Sequence, residues 1–248
     1  MMYNISMSKR TDYVEHKPYL ALIAGLVAII IILGLTLIFT NVGRQSATNT
    51  TLPIPEISSG IRGEQFGIDK NINEDTIDNY LGRIDSVYRD MRMLKDPGNY
   101  EAIGGDAYLS GYVDGFEIVP LPYLVNVTNL PEAVGDTYTG PTLFTADKDG
   151  SLKANYEESL AILEDLFPKD KYIFLMCGGG GYAGMTKTML TSLGWDPDKI
   201  YNVGAYWSYA GDHNVPVKYQ SETGEDRYAF WKIPYHDINF NNLHKIKK

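Results

Sequence analysis

Lys171-Tyr-Ile-Phe-Leu-Met-Cys177-Gly178-Gly179-Gly180-Gly181-Tyr182-Ala183-Gly184-Met185-Thr186-Lys187-Thr188-Met189-Leu190 joins three kinds of local structure within twenty residues. A short apolar run of strand type ends in the only cysteine of the chain. Four glycines follow, and a segment of helical character begins directly behind them. Gly194 closes that helix, and Lys199 to Val203 reads as a further short strand. Strand, loop, helix and strand in this order make a β-loop-α-β unit, and its two strands pair in parallel because the helix carries the chain back along the sheet.

Upstream of this unit, Tyr156 to Phe167 predicts an amphipathic helix with Leu160, Leu163 and Phe167 on one face, closed by Pro168. Thr142 to Lys153 alternates around Asp147-Lys-Asp-Gly150 and predicts a hairpin. Asp147, Asp149 and Glu158 imitate part of an EF-hand, but glycine falls at position four instead of six, so the turn is the better reading. Phe116 to Val119 is a short buried strand ended by Pro120 and Pro122. Ile84 to Met91 looks like a strand that runs into Arg89-Asp90-Met91-Arg92. Before it, Asn73, Glu74 and Asp75 open a short helix with the apolar stripe Ile77, Tyr80 and Leu81, and Gly82 supplies its stop. The tail from Asp212 to Lys248 is polar and aromatic, with a strand at Tyr228 to Ile233 and a basic end, His244 to Lys248, that reads as frayed. This alternation is that of an α/β layer fold.

The N-terminal part has a different character. Tyr19 to Phe39 carries no charged side chain, and at about 1.5 Å per residue it can cross a hydrocarbon core of about 30 Å. The expected organisation is a cytoplasmic segment over 1–18, a transmembrane anchor over 19–40, a Ser/Thr/Asn/Pro-rich linker over 41–61 and a folded domain over 62–248. Asn41 to Ala47 offers no convincing cleavage site, which favours an uncleaved anchor. Lys9, Arg10 and Lys17 precede the span and Arg44 closely follows it, so the positive-inside bias places the N-terminus in the cytoplasm and the domain outside a cell membrane crossed once. A net charge of -9 over 248 residues, with no cluster of Lys and Arg, argues against a nucleic-acid partner. One cysteine allows no internal disulfide, so its thiol is either free for reaction or a small buried side chain.

Cys177 at a glycine loop ahead of a helix has a physical reason to react. Backbone N–H groups and the positive end of the helix dipole favour a thiolate, and such sites bring a thiol from about 8.5 to between about 3.5 and 7.5. Consecutive glycines can also turn their N–H groups toward one centre and form a nest for an anion. The bland counterpart is a tight turn with no ligand. Gly179 to Gly184 also matches the dinucleotide fingerprint, but the next strand continues as Asn202-Val-Gly-Ala-Tyr206 where that reading wants a closing acid. The nucleoside-triphosphate loop fails at Met185, which stands where the phosphate-binding lysine belongs. Cysteine-phosphatase chemistry fails at Ala183, where the arginine that grips the phosphate belongs.

Taken together, these motifs resemble those of the rhodanese-like (sulfurtransferase) family over about Asn73 to Gly211. Arg89-Asp90-Met91-Arg92 is similar to the family's D-x-R, and Gly111-Tyr112-Val113-Asp114-Gly115 with Ile118-Val119-Pro120 to its G-H-I-P-G-A-x-x-I-P. Cys177 to Ala183 resembles the active loop, and Gly194-Trp195 with Tyr201-Asn-Val-Gly204 the ending. The sequence departs at Tyr112 and Asp114, at an insertion over about Met93 to Ser110, and at Gly178 and Tyr182, where the family often carries arginine. The resemblance implies an α/β domain with a central parallel sheet flanked by helices. It implies transfer of sulfane sulfur through a Cys177 persulfide in an anion-binding loop of Gly178, Gly179, Gly180, Gly181, Tyr182 and Ala183, with Asp90 and Arg92 in support as a solvated or paired feature at a strand end. A small sulfur donor such as thiosulfate or polysulfide and a thiol or protein acceptor would be its partners, without cofactor or metal. The competing expectation is a non-catalytic module of the same family, with the aromatic run Tyr206 to Tyr209 as a binding surface or as core.

Overall fold

Short apolar strands stay out of water only if both of their faces are covered, and four of them achieve this here by pairing in parallel. The computed structural model describes residues 55–56, 66–93, 111–126 and 138–247, all within the unit Thr51–Lys248. In chain order the sheet takes β1 (Ser86–Asp90), β3 (Glu117–Ile118), β6 (Tyr172–Cys177) and β7 (Ile200–Ala205), arranged β3-β1-β6-β7. All three pairings are parallel, with Asp90 opposite Met176 and Cys177 opposite Ala205. The result is a central parallel sheet with few helices, an α/β arrangement.

Two buried groups cover the two faces. On the first, Val87, Ile173, Leu175, Cys177 and Ile200 meet α1 (Leu121–Leu124), α2 (Ser159–Leu166) and α3 (Gly181–Ser192). On the second, Tyr88, Phe174, Met176, Tyr201 and Val203 meet Ile72, Ile77, Phe116 and Tyr206. A ladder of rings crosses three strands there: Tyr88 stacks on Phe174 at 5.1 Å between centroids, and Phe174 on Tyr201 at 5.2 Å.

The hairpin expected at Asp147 to Gly150 is present. β4 (Phe144–Ala146) pairs antiparallel with β5 (Leu152–Ala154), and Gly150 takes a positive φ of 84°. Its acids serve the turn: Asp149 accepts from the Ser151 N–H at 3.0 Å, and Asp147 pairs with Lys153. Three local expectations are corrected. The helix α2 begins at Ser159, whose hydroxyl donates to Leu143 O at 2.7 Å, so the buried face is Ser159, Leu163 and Leu166, and Leu160 faces out at 44 % exposure. The helix opened by Asn73 is only a 3-10 turn, Ile77–Tyr80. The strand expected at Tyr228 to Ile233 lies earlier, as β10 (Asp226–Tyr228) against β9 (Lys218–Gln220), and is followed by a 3-10 turn.

The basic end is not frayed. Glu157 N–H donates to His244 O at 2.9 Å, and Ile246 N–H to Asn155 O at 3.0 Å, which docks the tail against the start of α2. Nearby, β2 (Gly111–Val113) pairs antiparallel with β8 (Asn214–Pro216), and Tyr235 bridges Ile118 at the free edge of β3. The expected membrane span over 19–40 lies outside the described residues, as do nearly all of the linker and of the insertion before Gly111. Among the described residues no helix is long and apolar enough to cross a membrane.

Candidate functional site

In a parallel sheet the C-terminal strand ends share one edge, and the loops leaving that edge build the usual site. Cys177 ends β6 there, with its side chain on the face covered by α3. The chain leaves through Gly178 and Gly179, takes a left-handed turn at Gly180 with φ 91°, and enters α3 at Gly181. That turn brings the Gly180 N–H to 3.1 Å from Cys177 Sγ as a donor. The N–H groups of Ala183 and Tyr182 act on the same sulfur. Of the four loop glycines, Gly180 is the one whose N–H is placed on the thiol sulfur.

The thiol is nevertheless shifted the opposite way from the expectation, because burial outweighs these donors. Cys177 is 3 % exposed. Burial pushes the thiol above its ordinary range, the Ala183 N–H opposes this, the Asp90 carboxylate adds to it, and the Gly180 and Tyr182 N–H groups oppose it again. Loss of hydration by the thiolate outweighs the donors. A raised acid releases its proton first from the unfolded chain. The stability contributed by Cys177 is therefore complete below the unfolded value of about 8.5 and is lost as pH rises through the folded one. The urea midpoint of the wild type relative to Cys177→Ala is expected to fall over the alkaline window that opens at the unfolded value of about 8.5. A difference that stays constant over that window would disprove the assignment.

Gly179, Gly180 and Gly181 of the loop, and Gly184 in the first turn of α3, each meet a close neighbour. A Cβ at Gly179 would lie 3.3 Å from the Trp207 ring, at Gly180 2.9 Å from Ile68, at Gly181 3.4 Å from the Phe66 ring, and at Gly184 2.5 Å from the Phe66 carbonyl oxygen. The segment Phe66 to Asp69 thus lies as a strap over the loop and along β7, with Asp69 N–H donating to Asn202 O at 2.9 Å. From the other side Trp207 N–H donates to Gly178 O at 3.1 Å. Tyr182 and Ala183 are buried beneath.

Asp90 and Arg92 are paired, as expected, but not at a solvated surface. Both side chains have 0 % exposure. Arg92 Nε donates to both Asp90 carboxylate oxygens at 2.9 Å, and Nη2 donates to Gly111 O at 3.0 Å. The guanidinium carbon stands 4.0 Å from the Tyr206 ring centroid. The pair lies on the second face of the sheet, at the edge where Cys177 sits on the first. Tyr206 and Trp207, adjacent in sequence, connect the two.

Sequence reasoning missed Phe66, Ile68, Asn202 and Trp207. Nothing in Phe66 or Ile68 signals a strap, because its partners are distant in sequence. Trp207 stood within a run read as a whole, which the fold divides: Tyr206 is buried, Trp207 is 43 % exposed, and Tyr209 donates its hydroxyl to Asp78 at 2.6 Å. Asn202 did carry a signal, a polar side chain inside an apolar strand. Among the described residues no group of three or more His, Cys, Asp or Glu is placed to hold a metal. Compared with protein-family models, curated proteins and solved structures, the chain matches none.

Proposed function

We propose that the domain is a rhodanese-like sulfurtransferase that carries sulfane sulfur on Cys177. The observation behind this reading is the set of backbone N–H groups, from Gly180, Tyr182 and Ala183, around one sulfur at the start of a 12-residue helix. The Cys177 thiolate attacks the outer sulfur of a donor. A bond from Sγ to that sulfur forms while the donor's own bond to it breaks, and the remainder leaves with the electron pair, as sulfite from thiosulfate or as a shortened chain from polysulfide. A thiol acceptor then attacks the outer sulfur, and Cys177 leaves as thiolate. Positioned N–H donors stabilise negative charge on the sulfur at both stages. Residues Gly178 to Ala183 include no cation, and Arg92 is buried against Asp90, so within the loop itself the donors to an anion are backbone N–H groups.

A second reading, a non-catalytic binding module of the same type, draws on the burial of Cys177 and its raised thiol. Incubation of the full-length chain with thiosulfate, polysulfide or 3-mercaptopyruvate, followed by intact mass, separates the two. The wild type is expected to gain one sulfur atom that a thiol acceptor removes, and Cys177→Ala to gain none. A wild type that gains no sulfur from any donor would sink the transfer mechanism and leave the binding module.

A further inference from the structure

Asn202 is a fully buried amide on β7 among apolar neighbours. Its backbone is held independently of its side chain: Asn202 N–H donates to Asp69 Oδ2 at 2.7 Å, and Asn202 O accepts from Asp69 N–H at 2.9 Å. The side chain can therefore serve another purpose, and both of its N–H groups are directed at the site. One Nδ2–H donates to Gly180 O at 3.1 Å and the other to Phe66 O at 2.8 Å. Its Oδ1 has no hydrogen-bond partner among the described residues. A buried acceptor left unpaired is costly, so an amide at this position calls for an explanation in what its donors do.

The first of those donors holds Gly180, whose carbonyl also accepts from the Gly184 N–H at 2.9 Å. In Gly180 the N–H points at Cys177 Sγ, the carbonyl accepts from Asn202, and between them the backbone takes the left-handed conformation. β7 is bulged beside Asn202, since Leu175 faces Asn202 while the next residue, Met176, faces Gly204. A Cβ on Gly204 would lie 2.7 Å from Ile68 of the strap, so strap, strand and loop close on one another at this point. We infer that Asn202 is a positioning residue of the sulfur cradle: by gripping the Gly180 carbonyl with one N–H and the Phe66 carbonyl with the other, it aims the Gly180 N–H at the Cys177 sulfur and ties the strap to the loop.

The inference rests on the reading of Cys177 given above, and its test uses no sulfur donor, so the two can fail separately. The measurement is the pH dependence of Cys177 alkylation by iodoacetamide in the full-length chain, read by intact mass and compared with Asn202→Leu, which keeps the branched heavy-atom shape of the side chain and removes both donors. Among the described residues, Asp90 is the charged group that acts on the thiol, and the substitution leaves it in place. The alkylation midpoint of the variant is expected about one pH unit above that of the wild type, making alkylation at lower pH about tenfold slower. A purely structural role would lower the thermal midpoint while leaving the alkylation midpoint unchanged, or lowering it as the thiol opens to water; either result overturns the inference. Should the variant not fold, nitrogen-15 resonances of the wild type decide. The Asn202 side-chain amide is expected to shift with the same midpoint as Cys177, and an amide that does not move with pH overturns the assignment.

Discussion

Replacing Arg92 by leucine is expected to lower the unfolding free energy by about 3–5 kcal/mol, read from chemical denaturation. The side chain is fully buried, and its removal leaves the Asp90 carboxylate in the interior without its countercharge. The hydrogen bond to Gly111 O and the face of Tyr206 are lost with it. The cost lies mainly in the stranded charge, so a second replacement, Asp90→Asn, is expected to recover most of the loss in the double variant. An Asn at that position can still accept from the residue 92 N–H, which reaches Asp90 Oδ1 at 3.1 Å in the wild type. A single variant within about 1 kcal/mol of the wild type would show that water reaches the pair and that it behaves as a surface salt bridge. A double variant no better than the single would assign the loss to packing around Tyr206 instead of charge.

The second large effect belongs to Gly204→Ala, expected to cost about 2–4 kcal/mol. Two causes act together. The φ of 90° is one that a residue with a Cβ rarely adopts, and the new methyl would stand 2.7 and 2.9 Å from atoms of Ile68 and 3.0 Å from Glu74 Oε2. Gly194→Ala separates them, because Gly194 has a φ of 94° with no atom within 4 Å of the added carbon. That variant is expected to lose about 1–2 kcal/mol from the backbone alone. Equal losses in the two variants would mean that the strap yields without cost and that the close approach at Gly204 carries no energy. The consequence extends to the site, since Ile68 also packs on Gly180, and a strap pushed away from β7 no longer supports the turn that aims the Gly180 N–H.

Much of the site's location was legible in the sequence because it depends on local order. An apolar run, a cysteine, glycines and a helix segment in direct succession place a thiol at the C-terminal end of a parallel strand wherever the rest of the chain goes. The thiol's own environment was not legible in this way. Whether it is exposed and acidic or buried and weakly acidic depends on the core it joins, which draws on residues as distant in sequence as Val87 and Leu121. The same holds for Arg92. An acid and a base two residues apart at a strand end look like a surface pair until Gly111 and Tyr206 close over them.

The parallel β-loop-α-β unit, the hairpin at Asp147 to Gly150 and the cysteine at the loop follow from local pattern, since periodicity and turn chemistry act over a few residues. That α2 turns Leu160 outward, that the basic tail docks on residues 155–158, that Asp90 and Arg92 are buried, and that Asn202 holds Gly180 are consequences of the assembled fold. Those outcomes depend on which distant surfaces remove water from a group, and desolvation is a property of the assembled fold that no local pattern encodes.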